Sequence, residues 1–269
     1  MRPPIRWAGS KLKSLSLLRS IYNAAPGRYV EAFAGSACLF FDVSPPGALI
    51  NDLNPDLIRA FRCLRDDRDR LLLKLRSIPR SKNAYYELRA LNPESMGECD
   101  AAARFFYLNR FCFNGLYRTN RSGQFNVPYG HLRRKERIDF ELLAHASQLL
   151  QRAELLNADF ERSVEAARHG DFVYLDPPYV GSGAGRLFAE YLPNSFSALD
   201  LDRLEASLIA LDRRGAHFAL SYADTKTIRK RFARWRVIKA SVRRNIAGFS
   251  GARKISSELV VTNVRVFPC

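Results

Sequence analysis

The sequence predicts an α/β fold: a doubly wound, largely parallel sheet with an inserted helical domain that carries a β-hairpin. Three observations lead there. Short, nearly all-apolar runs recur along the chain, as strands covered on both faces require. Stretches of helical spacing lie between many of them, the alternation that builds parallel sheets. The middle of the chain breaks this alternation, with helical patterns and two tight-turn signals but no parallel-strand run. A chain of 269 residues has room for one core domain and an inserted smaller one.

Each element follows in order. Residues 11 to 24 read as a helix, and RYVEAF (28 to 33) as the first strand, leading into the small-residue turn AGSA. ALIND (48 to 52) is a second strand ending on Asp52. Residues 53 to 78 carry a long helical pattern, and helices continue through the middle. There, FCFNGLYRTNRSGQFNVPYGH places Asn114-Gly115 and Ser122-Gly123 between short aromatic arms, the signature of a hairpin. Residues 138 to 156 read as helix, with Asp159 following a strand-like end. DFVYLD (171 to 176), HFALSY (217 to 222), 235 to 242 and 258 to 266 read as strands, with a helix over 199 to 213 that keeps Leu201, Leu204, Leu208 and Ile209 on one face. The core is therefore expected to span 1–54 and 140–269, and the insertion 55–139.

Composition narrows the function. The chain is 47% hydrophobic and 26% charged, enough apolar material for a sizeable core. No apolar run reaches the ~20 residues needed to cross a bilayer, and the first residues lack the apolar stretch of a signal peptide. Five scattered cysteines with no CxxC pair, and four histidines away from them, give no pattern for a disulfide framework or a metal site, so a reducing cytoplasm is the expected compartment. Forty-three Lys and Arg against 27 Asp and Glu leave a charge of +16, which calls for a polyanionic partner. Nucleic acid is the first candidate.

The most informative stretch is Asp176-Pro177-Pro178-Tyr179, which closes the apolar run Phe172 to Leu175. Proline cannot donate to a sheet ladder, so the strand must stop there and leave a carboxylate and an aromatic ring at its carboxyl end. That end is where open α/β sheets bind ligands. An exocyclic amine on a nucleobase is a poor nucleophile, because its lone pair is delocalised into the ring. A carboxylate and a main-chain carbonyl, each accepting one N–H, would draw that nitrogen towards tetrahedral geometry. Prolines leave their carbonyls available for this task, and Tyr179 offers a face for a flipped base.

Other motifs support the same chemistry. In Glu31-Ala-Phe-Ala-Gly-Ser-Ala37, small residues between a strand and a helix let a ligand approach the backbone closely. Asp52 follows at about twenty residues, the spacing at which an acid meets a nucleoside ribose. Arg6-Trp-Ala-Gly-Ser-Lys11 is not a phosphate-binding P-loop, since Ser10 stands where the second glycine belongs; Trp7 and Lys11 could still flank a small charged ligand. Gly181-Ser-Gly-Ala-Gly185 reads as a lid after the proline turn.

In combination WAGSK, EAFAGSA, Asp52 and DPPY resemble the DNA adenine-N6 methyltransferases of the alpha group, specifically the Dam type. The likeness extends through residues 107 to 118 and 123 to 130, Asn194-Ser-Phe196, Val242-Arg-Arg-Asn245 and Ala252-Arg-Lys254, nearly the whole chain. It implies a Rossmann-like methyltransferase fold, S-adenosylmethionine as methyl donor, and double-stranded DNA as partner, with GATC as the site. Beside it stand the expectations of a monomer and, from composition, of no metal and no membrane partner. Trp7, Lys11, Phe33, Gly35, Ser36, Ala37, Asp52 and Asp176 would line the donor site, with Asp159 and Phe160 beside its adenine. Asp176, Pro177, Pro178 and Tyr179 would hold the flipped base. Phe113 and Asn114 would wedge into the duplex, Leu116 and Pro128 touch a thymine methyl, Arg118 read a guanine edge, and Arg6 and Asn126 contact the DNA.

The sequence departs from the family pattern at Ala32, where a proline is usual, at Ala37 and Ser10, where glycines are usual, at Arg6, where a lysine reads the first guanine, and at Leu132, where a tyrosine is usual. Arginine and lysine are not equivalent at a bidentate site. Two alternatives stand beside this expectation: an RNA or protein amino-group methyltransferase with the same pocket, and a non-catalytic DNA-binding relative whose altered loop no longer holds the donor.

Overall fold

A computed structural model describes residues 1–120, 122–130, 137–179, 196–240 and 258–265. The strands are β1 Tyr29–Glu31, β2 Ala48–Asn51, β3 Ala153–Leu156, β4 Phe172–Leu175, β5 His217–Ala223, β6 Arg236–Ala240 and β7 Glu258–Thr262. Among the described residues they form one seven-stranded sheet in the order β3-β2-β1-β4-β5-β7-β6. The β1–β4, β2–β3 and β4–β5 pairs are parallel, while β7 runs antiparallel to both β5 and β6. The chain has a mixed α/β fold with a mostly parallel sheet, as its alternating runs predict. Winding outward in both directions from β1 and β4 makes that pair the topological switch point, outside whose carboxyl ends ligands bind.

Contacts divide the chain into two compact units, Met1–Ser10 with Ala34–Asp159, and Lys11–Phe33 with Phe160–Cys269. In the first, helices α2 Cys38–Val43, α3 Pro55–Asp66, α4 Arg68–Ser77, α5 Lys82–Ala90, α6 Glu98–Phe111 and α7 Phe140–Leu150 accompany β2 and β3. Helix α6 is buried on nearly every face from Cys99 to Phe111, and α3, α4 and α5 pack against it. Side-chain caps start these helices: Asn54 accepts from Leu57 N–H before Pro55, Ser81 from Ala84, and Asp139 from Leu142.

Two expectations are corrected here. The pattern over 53 to 78 is two helices, broken at Asp67, whose φ of −137° and ψ of 43° are not helical. Asp is a weak helix former in a helix interior, and Asp67 serves as the C-cap of α3 and the N-cap of α4 without a side-chain cap hydrogen bond. The pattern over 138 to 156 stops being helical at Leu150 and becomes β3, where buried Ala153 and Leu155 alternate with exposed Glu154. That is a two-residue period, not a helical stripe.

The second unit holds β1, β4, β5, β6 and β7 with helices α1 Leu15–Ala24, α8 Phe160–Glu165, α9 Ala198–Arg214 and α10 Lys226–Arg231. Strands β1, β4 and β7 are buried along their length, with Glu31, Glu258 and Thr262 buried among their apolar residues. Helix α9 opens on a reciprocal Ser197–Asp200 capping box and closes on Gly215 at φ 74°. Leu132, Gly181 to Gly185, Asn194-Ser195, Val242 to Asn245 and Ala252 to Lys254 lie outside the described residues. Among those described, no helix is long and apolar enough to cross a membrane, and no three His, Cys, Asp or Glu are grouped to hold a metal.

Candidate active site

Strand β4 is fully buried and delivers Asp176 to its carboxyl end; Pro177 is buried, Pro178 exposed and Tyr179 half-buried. Asp176 is met there by Lys11, whose ammonium lies 2.8 Å from Oδ1. Lys11 is 4% exposed and precedes α1 in a turn, where the sequence reading had it at the helix start. A buried ammonium must be paired, and it lies 3.9 Å from a second carboxylate, Glu258 at the start of β7. The Tyr179 hydroxyl donates to Glu258 Oε1 at 3.1 Å, and the Lys11 ammonium stands 5.7 Å from the Tyr179 ring centre. The ring is supported by Tyr222 at 4.9 Å. Lys11, Asp176, Tyr179 and Glu258 thus form one charged and aromatic cluster, with Asp176 presented as an acceptor-only carboxylate.

In the same unit, Phe33 after β1 stacks on Phe160 at the start of α8, with ring centres 5.1 Å apart and planes at 25°. Phe196 approaches both at 6.1 and 6.3 Å. The Arg203 guanidinium lies 4.8 Å over Phe160 and is itself paired with Glu161 and Asp200.

The loop after Phe33 is built in the first unit. Gly35 has φ 48°, a region that strains other residues, and a Cβ added there would stand 2.6 Å from Trp7 Cδ1, so the close approach of that ring calls for glycine. The Gly35 N–H donates to Asp52 Oδ2 at 2.8 Å and the Asn54 N–H to Oδ1 at 2.9 Å, fixing the carboxylate at the end of β2. Burial pushes the Asp52 carboxyl up, and these two N–H groups pull it back part of the way. Ser36 Oγ reaches Ser10 Oγ at 3.4 Å. Ala37 sits left-handed at φ 51° as the N-cap of α2, and Asp159, half-buried, ends the unit.

The hairpin also lies in the first unit. Asn114 and Gly115 both have positive φ, 54° and 64°, as the Asn-Gly signal requires. A second turn runs from Asn120 to Gln124, with the Asn120 side chain accepting from the Ser122 and Gln124 N–H groups. Bridges pair Cys112 with Tyr129 and Thr119 with Phe125. Phe113 and Leu116, exposed at 44% and 37%, present apolar side chains on either side of this turn. Arg118 is exposed and donates from Nε to Asn126 Oδ1 at 2.9 Å, while Pro128 is exposed on the facing arm. Arg6 is brought against this turn: a Cβ on Gly115 would fall 2.5 Å from its Cδ, and Asn109 bonds both its N–H and its carbonyl.

Four residues to which the sequence reading gave no role help hold these sites: Glu258, Asn54, Asn109 and Tyr117. Only Asn54 has a local signal, as a helix cap ahead of Pro55; the rest act through partners far along the chain.

The D12 class N6 adenine-specific DNA methyltransferase family matches residues 7–246. A type II methyltransferase, M1.LlaDCHI of Lactococcus lactis subsp. cremoris, is 33% identical over 271 residues, covering 98% of this chain and 95% of its own length. Another, M.MjaIII of Methanocaldococcus jannaschii, is 32% identical over 82% of this chain and 84% of itself. The DNA adenine methylase of Escherichia coli is 30% identical over 95% and 93%. With this match spanning the acidic end of β4, the Gly35–Asp52 loop and the hairpin, the chain belongs to the D12 class N6 adenine-specific DNA methyltransferases.

Proposed function

We propose that this DNA adenine methyltransferase takes its methyl group from S-adenosylmethionine and attaches it to N6 of an adenine flipped out of duplex DNA, within GATC. The observation that carries the reading is the Lys11–Asp176 pair beside Tyr179 at the carboxyl end of β4. The residues present fit the donor. Asp52, held by two N–H groups at the end of β2, suits a ribose diol, and the missing side chain at Gly35 lets the Trp7 ring lie directly against the loop backbone beside it. In the first unit, Trp7, Gly35, Ser36, Ala37, Asp52 and Asp159 would bind it; in the second, Lys11, Phe33, Phe160 and Asp176. Bound there, the donor supplies an electrophilic sulfonium methyl.

The chain's own groups do the rest. Asp176 accepts one N–H of the target amine and the Pro177 carbonyl the other, which localises the nitrogen lone pair. Lys11 clamps Asp176 Oδ1 and so fixes the carboxylate, and Tyr179 stacks on the base. Catalysis is positioning and electrostatics, with no covalent enzyme intermediate. Residues 55–139 serve as the recognition domain: Phe113 and Asn114 wedge into the duplex, Leu116 and Pro128 meet a thymine methyl, Arg118 reads guanine, and Arg6 and Asn126 contact the DNA. The enzyme acts as a monomer in the cytoplasm.

The test is expression in a host without adenine methylation, followed by digestion with an endonuclease that cuts only methylated GATC. The DNA becomes sensitive with the natural chain, and Asp176→Ala lowers methylation by at least about 10²-fold. Methylation at another motif would remove the GATC reading, and full activity of Asp176→Ala would remove the mechanism.

A further inference from the structure

Tyr117 stands in the hairpin between Leu116 and Arg118, both exposed, yet is itself only partly accessible. Extended backbone alternates its side chains, so Tyr117 turns inward where its neighbours turn out. Its ring stacks on Trp7 with centres 5.2 Å apart and planes at 21°, and packs against Phe105 and Phe125 at 5.7 and 5.5 Å. Its hydroxyl donates to Asp56 Oδ2 at 2.9 Å and also meets the Asn54 side chain. Burial, and then the Asp56 charge, pushes the phenol well above its usual range, so it stays a donor at any working pH.

Two routes leave this ring and end on one carboxylate. Through Trp7 the contact reaches Gly35, whose N–H donates to Asp52 Oδ2. Through its hydroxyl it reaches Asn54 and Asp56 at the start of α3, and the Asn54 N–H donates to Asp52 Oδ1. All of these residues lie in the first unit. Two isolated bridges give the hairpin a thin ladder, so side-chain anchors of this kind set where it sits.

We infer that Tyr117 is a positioning residue that couples base reading to donor binding: engagement of Leu116 and Arg118 by the cognate duplex orders Tyr117, and through its hydroxyl bonds to Asp56 and Asn54 tightens the hold on Asp52 in the donor site. The coupling rests on the roles proposed above for those residues. It is reciprocal, so the donor must strengthen DNA binding by the same factor.

Titration calorimetry with S-adenosylhomocysteine, the demethylated donor, tests it without turnover. For the natural chain a GATC duplex lowers the Kd by at least about 5-fold, the lower end of ordinary coupling. In Tyr117→Phe that factor drops below about 2, while the Kd without DNA changes less than about 2-fold. Asp56→Asn, which removes the other end of the bond, loses the factor too, and combining both substitutions loses no more than either. A factor that survives in Tyr117→Phe, or a natural chain that binds the probe equally with and without duplex, overturns the coupling alone. A natural chain that does not bind the probe at all overturns the donor assignment and the coupling with it.

Discussion

Asp52 and Asp176 are both carboxylates at strand ends, and their surroundings separate their roles. Asp176 is neutralised by an ammonium at 2.8 Å. Asp52 accepts from two main-chain N–H groups, and burial raises its carboxyl above the ordinary value. An acid so placed takes up a proton at a higher pH than a free carboxylate does. In the proposed donor site the ionised form, which accepts without donating, would meet the ribose diol. Protons therefore compete with the donor as pH falls. Affinity for S-adenosylhomocysteine is expected to hold at neutral pH and weaken on acidification before an exposed carboxylate would titrate. Below the raised pKa the loss approaches tenfold per pH unit. In Asp52→Asn the affinity is lower throughout and that acid limb disappears. A natural chain whose affinity stays level into the range of an exposed carboxylate would remove Asp52 from the donor site.

The elements that could be read from sequence are those whose signal is local. The proline stop after β4, the Asn114-Gly115 turn with its two positive φ angles, and the cap ahead of Pro55 each depend on neighbours in the chain. The short strand β3 is hidden, because four residues are too few to separate a two-residue period from the helical pattern that precedes them. Helix α2 shows a departure whose cost can be assigned. Its N-cap Ala37 is held left-handed at φ 51°, ψ 39° and fully buried, at the position where the family pattern has glycine. A β-carbon there costs about 1–2 kcal/mol. Replacing it by glycine relieves that strain and loosens the unfolded chain by about 0.4–1 kcal/mol. Ala37→Gly should therefore stabilise by about 0.5–1 kcal/mol in urea unfolding, with an unchanged dependence on denaturant. A destabilised variant would mean that the methyl group contributes packing that outweighs its strain.

At the scale of the whole molecule, sequence spacing stops being a guide. Lys11 with Asp176 and Tyr179 with Glu258 in the second unit, and Tyr117 with Asp56 in the first, meet because each unit folds distant segments of the chain together, and no local pattern announces it. Net charge, in contrast, belongs to the chain in its entirety. Acids here are extensively paired with arginines, as Arg59 with Asp56, Glu94 and Glu98, or Arg231 with Asp202 and Glu205. With 43 cations and 27 carboxylates, one-to-one pairing still leaves an excess of +16. On a DNA-binding enzyme that excess acts on phosphates, and each phosphate neutralised contributes a slope of about −0.9 to log affinity against log salt. Phosphate contacts carry no sequence information, whereas base contacts do. GATC and scrambled duplexes of equal length should then give steep, parallel lines, offset by at least about 10³ in affinity. Arg118→Ala should reduce the offset by about 1–3 kcal/mol and change the slope by less than about 1. Slopes near zero for both duplexes would show that the charge excess serves something other than DNA. A slope that collapses with Arg118 alone would make that side chain a phosphate contact and pass the reading of guanine to another residue of the hairpin.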